Sequence, residues 1–298
     1  MRIKIPEFEG REDTPEFLID MLIAQLNITI NELSRGHNLI ALSDGTGVFL
    51  NMGTKFLNIA ESFQTIVKCG KDIVSSYSLL RMMADYLATM YLIFENKDQY
   101  ECLFRYLLFF RDGFCKRIEV LGYEIKNNGR ISQEQYKDFS EQMDSAKQNA
   151  EQGIKECDKL LDTHPYKTIN NALFNKIKAC NQWKYKKFNA AIKSYESYKW
   201  EELYSFIDDR ESIQSFYSYL SQYVHGLSNS LIATSSPDDF YAVQCIGMTL
   251  IDRYRYLLES LYGGDSIKKL MSIEILENLD KYLPYILNSL KKRNLCQD

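Results

Sequence analysis

Apolar residues recur every three or four positions over most of this chain, the spacing that lines one face of an α-helix. Thr14-Pro15-Glu16 reads as an N-cap followed by proline at the first helical position. Phe17, Leu18, Met21, Leu22, Leu26, Ile28, Thr29 and Leu33 continue the pattern towards Gly36, a stop signal. A second helix is expected from Ser43/Asp44 to near Gly70, with Phe49, Leu50, Phe56, Leu57, Ala60, Phe63 and Ile66 in its stripe. Gly45, Gly47 and Gly53 weaken its first turns. The third helix, about Asp72 to Asn96, is apolar on every side, and its only charges between Ile73 and Phe94 are Arg81 and Asp85. Such a helix is buried in a bundle or crosses a membrane. Two central charges cost about 2.5–3.5 kcal/mol each in an inserted helix. No other segment reads as a span, so the pattern places this helix at the centre of a bundle with no membrane.

Lys97–Asn127 and Ser132–Thr163 read as two arms joined at Asn127-Asn128-Gly129, and Ser132 to Gln135 opens the second arm as a capping box. Tyr136, Phe139, Met143, Ala146, Ala150, Ile154, Cys157 and Leu161 form a coiled-coil-like seam. Leu103, Leu107, Phe110, Phe114, Ile118, Leu121 and Ile125 supply a matching row. Each arm of this antiparallel helical hairpin, 97–163, spans roughly 45 Å at about 1.5 Å per residue. Packing within the chain, dimerisation or contact with a protein partner would each suit such an arm.

Residues 176–199 carry seven lysines and one acid, whereas 201–211 hold five acids and one arginine. Trp183, Tyr185, Phe188, Tyr195 and Tyr198 interleave the lysines. Lysines beside stacking rings are what single-stranded nucleic acid requires, which marks Trp183, Lys184, Tyr185, Lys186 and Lys187 as candidate contacts. The alternative is a solvated basic face whose rings pack inward. Ser212 is expected to cap a helix running to His225-Gly226, and Ser236-Pro237-Asp238 to start another that ends at Gly263-Gly264. A last amphipathic segment covers about 265–292.

Composition sharpens the fold class. The 298 residues include only 14 Gly and 5 Pro. That is about half the usual ~12% for the two together, too few for the turns of a β-sandwich or barrel. An all-α chain is expected, folded as a single helical domain over 1–298. The net charge of −4 argues against a protein coated for duplex nucleic acid. Seven cysteines, odd in number and without a C-x-x-C spacing, suit reduced thiols better than disulfides or a zinc knuckle. The first residues carry no apolar signal core, and a cytoplasmic location is expected.

Arg81 and Asp85 lie one helical turn apart and project from one side of the central helix, with Tyr77 and Ser78 a turn earlier. An internal charge left alone costs several kcal/mol, so the two must pair with each other or with polar groups on a neighbouring helix. The pair either fixes helix register or holds an arginine ready for a phosphate or carboxylate. His225, beside Ser221 and before Gly226, sits where helix-end carbonyls favour a cationic imidazole, as a general acid/base or as a simple cap. His37 and His164 are expected at the surface. P-loop, G-x-G-x-x-G, H-E-x-x-H and G-x-S-x-G patterns do not occur, and the scattered histidines and cysteines point to no metal site.

The stretch Ser78-Leu-Leu-Arg81-Met-Met-Ala-Asp85-Tyr, with the later Tyr217-Ser-Tyr-Leu-Ser221-Gln-Tyr-Val-His225-Gly226, resembles an uncharacterised bacterial all-helical family. That family pairs an Arg-x-x-x-acid helix with a Leu-Ser-x-x-Val-His helix, often after a tryptophan comparable to Trp200; Asp85 stands where glutamate is usual. The family is in turn similar to the HEPN superfamily, which includes metal-independent ribonucleases of toxin and abortive-infection systems. The resemblance implies a HEPN-like bundle in which Arg81, Asp85 and His225 meet. His225 would activate a ribose 2′-hydroxyl or protonate the leaving oxygen, and Arg81 would stabilise the phosphorane charge, with no cofactor. HEPN nucleases carry the arginine and histidine on one helix; here Arg81 comes from another. The implied function is an RNA-directed effector of bacterial defence or a toxin system. A non-catalytic interaction module or dimeric scaffold is the alternative.

Overall fold

A computed structural model of the chain describes residues 15–70, 72–95, 98–123, 126–225 and 236–264. All regular elements among them are helices. They are α1 (Pro15–Leu33), α2 (Gly45–Cys69), α3 (Ile73–Phe94), α4 (Gln99–Leu121), α5 (Gln133–Asp162), α6 (Pro165–Ile169), α7 (Asn171–Ala179), α8 (Trp200–Tyr204), α9 (Glu211–Tyr219), α10 (Ser221–Val224) and α11 (Pro237–Tyr262). One isolated antiparallel bridge joins Tyr185 and Ser197. The described residues form two compact units, the first taking the chain up to Glu95 and again from Trp200, the second the residues between. The expected segment 265–292 lies outside the described residues.

In the first unit the helix ends are set by local chemistry. Asp44 caps α2 by accepting the Gly47 amide, and Gly70 closes it in the left-handed conformation, φ 61°, with its amide on the Val67 carbonyl. Asp72 caps α3 through Ser75 N–H, and Ser236 and Asp239 form a reciprocal capping box ahead of Pro237 at the start of α11. Helix α3 packs against α2, α8, α10 and α11. Its Leu80, Met83, Ala84, Leu87 and Ala88 are fully buried, as a helix with apolar residues all around requires, although Met82 stays half exposed. Two glycines permit close approach. A side chain at Gly53 would fall on the Tyr254 hydroxyl, and one at Gly247 on the Phe63 ring.

In the second unit α4 and α5 pack together, with Arg111 bonded to Asp158 at 3.0 Å and the Phe114 ring lying against Gly153. Ser132 and Gln135 form the expected capping box of α5. Helix α4 ends at Leu121 with Gly122 as its cap, short of the expected Asn127, and Ile125 falls outside the described residues. Consequently α5 overruns its partner: no described residue between Gly113 and Asn149 is buried, and Phe139 is 40% exposed. Phe104, Tyr166, Phe174 and Tyr185 make an aromatic core, with Tyr166 and Phe188 stacked at 4.2 Å. His164 belongs to this core, contrary to the expected surface position. It is 2% exposed because it serves as the N-cap of α6, its Nδ1 accepting the Tyr166 amide while Nε2–H donates to the Tyr100 carbonyl.

Candidate functional site

Arg81 projects from the middle of α3 with its side chain 11% exposed. Its Nε lies 2.9 and 3.0 Å from the two Asp85 oxygens, the geometry that i, i+4 spacing on one helix provides. Nη1 donates to the carbonyl oxygen of Tyr217 in the last turn of α9. Carbonyls at a helix C-terminus lack intrahelical donors and carry partial negative charge, so they suit a cation. The guanidinium carbon lies 5.0 Å from the centre of the Tyr204 ring, a cation–π contact, and the Tyr204 hydroxyl donates to Asp85 at 2.6 Å. Burial, then the charge of Asp85, pushes the Tyr204 hydroxyl well above the usual tyrosine range and keeps it a donor. Three elements, α3, α8 and α9, thus neutralise one largely buried charge.

The sequence reading brings Arg81 and Asp85 together, as the structure does. The rest of the expected cluster is distributed differently. Tyr77 lies against Tyr223 of α10 with ring centres 4.5 Å apart and planes tilted by 39°, and meets Phe216 edge-on, while the Ser78 hydroxyl donates to the Val74 carbonyl of its own helix. The helix expected to run through His225 breaks at Leu220 into α9 and α10. His225 caps α10 with its amide on the Ser221 carbonyl, and its side chain is exposed. Among the described residues its imidazole makes no hydrogen bond to Arg81 or Asp85. The neutralising company expected from an imidazole comes instead from the ring and hydroxyl of Tyr204 and the Tyr217 carbonyl. Nothing in the sequence around Trp200-Glu201-Glu202-Leu203-Tyr204 marks that tyrosine beyond its apolar spacing.

The basic stretch in the second unit has its own geometry. Trp183 and Tyr185 are 8% and 0% exposed, so neither offers a face to a nucleic-acid base. The Lys184 ammonium lies over the Trp183 ring at 5.7 Å and that of Lys186 over the Tyr198 ring at 5.6 Å; Lys187 is exposed. Residues 183 and 184 lie in a turn closed by the Tyr185 amide on the Gln182 carbonyl, and Tyr185 makes the single bridge to Ser197. Along Trp183-Lys184-Tyr185-Lys186 burial alternates with the sequence, the rings buried and the lysines partly exposed.

Among the described residues no group of three His, Cys, Asp or Glu side chains converges as metal ligands would, and no helix is long and apolar enough to cross a membrane. A separate open cleft between α1 and α11 is lined by Leu18, Leu22, Met248 and Tyr256, with Arg253 at its wall.

These features define an all-helical protein with a partly buried Arg–Asp–Tyr cluster in one unit and a lysine-bearing irregular segment in the other. The chain belongs to DUF5677, a family of unknown function, whose model matches residues 47–240. That span contains Arg81, Asp85, Tyr204, His225 and the whole lysine segment. No curated protein and no solved structure matches the chain.

Proposed function

We propose that this protein is an RNA-directed effector built on a HEPN-like helical bundle with the α4–α5 pair as its long hairpin, acting in a bacterial defence or toxin system as a metal-independent ribonuclease. One observation carries the reading: α10, which ends in the exposed His225, packs on the helix that fixes Arg81, through Tyr223 on Tyr77. A reachable imidazole and an immobilised guanidinium are therefore carried by two helices in contact. In the proposed step neutral His225 takes the ribose 2′-hydroxyl proton and the 2′-oxygen bonds to phosphorus. The bond from phosphorus to the 5′-oxygen breaks, and the leaving oxygen takes a proton from water or from the imidazolium, giving a cyclic phosphate and a 5′-hydroxyl. Arg81 stabilises the phosphorane charge, and Asp85 with Tyr204 holds the guanidinium in place.

The test is cleavage of single-stranded RNA in excess EDTA by the wild type, His225→Ala and Arg81→Lys. Loss of at least a hundredfold in the His225 variant, with its thermal unfolding unchanged, supports the reading; equal cleavage by wild type and variant dismisses it. The second reading, a non-catalytic interaction module, is favoured by the uncovered start of α5, where Phe139 is exposed. Wild-type protein inactive on RNA but self-associated in a Phe139-dependent way would establish that alternative.

A further inference from the structure

We infer that residues 183–187 grip RNA through its phosphates alone, and that buried Arg105 is the positioning residue that sets the shape of this ridge. The inference rests on the RNA-directed reading and adds to it a binding mode and a residue.

Arg105 lies on α4 and is 3% exposed. Its Nε and Nη2 donate to the Glu101 carboxylate one turn earlier, at 3.0 and 2.5 Å. That carboxylate already balances its charge. Yet Nη1 also donates to two main-chain carbonyls, Trp183 at 3.1 Å and Tyr185 at 2.7 Å, and the guanidinium lies 4.0 Å above the Tyr185 ring. Residues 183 and 185 belong to no helix; their amides close short turns on the Asn181 and Gln182 carbonyls, and Arg105 holds their carbonyls. These bonds fix the main chain on either side of Lys184, where both rings are buried while Lys184 and Lys186 stay partly exposed. The segment around the bridge partner Ser197 completes the clamp, with Lys186 N–H on the Glu196 carbonyl at 2.7 Å and Tyr198 N–H on the Lys184 carbonyl at 2.8 Å.

Since Trp183 and Tyr185 are buried, the ridge has no stacking platform from these rings, and stacking is what would sense the base. Contacts limited to Lys184, Lys186 and Lys187 are insensitive to sequence and strongly sensitive to salt. Each phosphate neutralised on a single strand contributes about 0.7 to the log–log salt slope, so three lysines account for about 2.

The experiment is fluorescence anisotropy with labelled oligouridylate and oligoadenylate between about 50 and 200 mM salt, the range over which such contacts weaken steeply. It compares the full-length wild type, the triple variant Lys184→Gln/Lys186→Gln/Lys187→Gln, Arg105→Met and Arg105→Lys, alongside amide hydrogen exchange of each. The expected result is affinity equal within a few-fold for the two oligomers and a salt slope lower by about 2 in the triple variant. Arg105→Met should bind about tenfold more weakly and lose protection at the Lys186 and Tyr198 amides while α5 amides stay protected. Should Arg105→Met fail to fold, Arg105→Lys decides by the same amides and the same affinity, since an ammonium cannot reach both carbonyls and Glu101 together.

A wild type that binds neither oligomer overturns this inference and the RNA-directed reading together. A wild type that binds while the triple variant keeps its slope overturns the ridge alone. Unchanged amide protection and affinity in both Arg105 variants overturns the positioning role, and a preference above tenfold for one base overturns the phosphate-only mode.

Discussion

The Tyr204 hydroxyl donates a 2.6 Å hydrogen bond to Asp85, the carboxylate that also neutralises Arg81 one helical turn away. The three side chains form a chain of dependence with unequal links. Asp85→Ala strands a guanidinium that is only 11% exposed; with Asp85 itself 35% exposed the loss lies between that of a surface pair and a buried one, about 2 kcal/mol. Tyr204→Phe removes one donor from a carboxylate that water still reaches, and costs about 1 kcal/mol. Replacing both charges, Arg81→Met with Asp85→Leu, should recover most of the loss, because paired removal leaves no unpaired charge. Urea unfolding of the three variants checks the order. Equal losses for Asp85→Ala and Tyr204→Phe would overturn the view that Asp85 is the principal counter-charge. If the cluster also serves RNA chemistry, the double variant stays inactive while its stability returns.

How far this arrangement is legible in the sequence depends on the range of the signal. Asp44, Asp72, Ser132 and Ser236 are capping residues whose effect reaches only three residues on, and each begins the helix its sequence marks. The i, i+4 pairing of Arg81 with Asp85 is equally local. The Tyr204 and Tyr217 contacts are not, because they cross 119 and 136 residues of chain and depend on how α8 and α9 fall on α3. The buried cap at His164 has a local signal that the expected surface position overlooks. His164-Pro165 repeats the cap-then-proline arrangement of Ser236-Pro237, with an imidazole nitrogen in place of the hydroxyl. The break at Leu220 has no glycine or proline to announce it.

A second test concerns close packing between α2 and α11. Tyr254 is fully buried, its hydroxyl has no hydrogen-bond partner among the described residues, and it occupies the space beside Gly53 where a methyl group would stand. Gly53→Ala should therefore destabilise by about 1–3 kcal/mol through overpacking. Tyr254→Phe should be neutral or stabilising, since it deletes an unpaired buried polar atom. In the double variant the nearest ring carbon, 2.9 Å from the added methyl, still has to move, so rescue is partial. A double-mutant cycle by thermal unfolding measures the coupling, and additive effects would contradict it.

The buried His164 gives the second unit a pH dependence of definite sign. Burial holds its pKa below the usual 6.5, outweighing the Tyr100 carbonyl bond and the nearby Asp98 charge, both of which raise it. Protonation would also destroy the Nδ1 acceptor that caps α6 at the Tyr166 amide. The unfolded chain takes up the proton first as pH falls, so stability declines below about pH 6.5 and levels off only beneath the folded-state pKa. Above that window the full contribution is present. His164→Asn keeps a capping side chain without a titrating group, and should flatten the wild-type decline in unfolding midpoint between about pH 7 and 5. An identical pH profile for the variant would mean that another group is responsible.

Thiol reactivity reports on the contact between α4 and α5. Cys69 and Cys180 are exposed, whereas Cys157 is fully buried with its thiol pushed up to about 12, chiefly by burial and then by Asp158. Cys102 is pushed up to about 11 for the same first reason. The thiolate is the nucleophile, so brief iodoacetamide treatment near pH 8 should modify Cys69 and Cys180 and leave Cys102 and Cys157 intact. Cys157 becomes reactive only when α5 separates from its neighbours. Gly153 lies one turn before it, and a methyl group there would come within 2.6 Å of the Phe114 ring of α4. Gly153→Ala should thus accelerate Cys157 labelling about tenfold or more, in line with ~1–3 kcal/mol of overpacking, while Cys69 in the first unit reacts at its wild-type rate. Mass spectrometry of the labelled peptides separates the two sites, and parallel acceleration at both would indicate global destabilisation in place of a local opening.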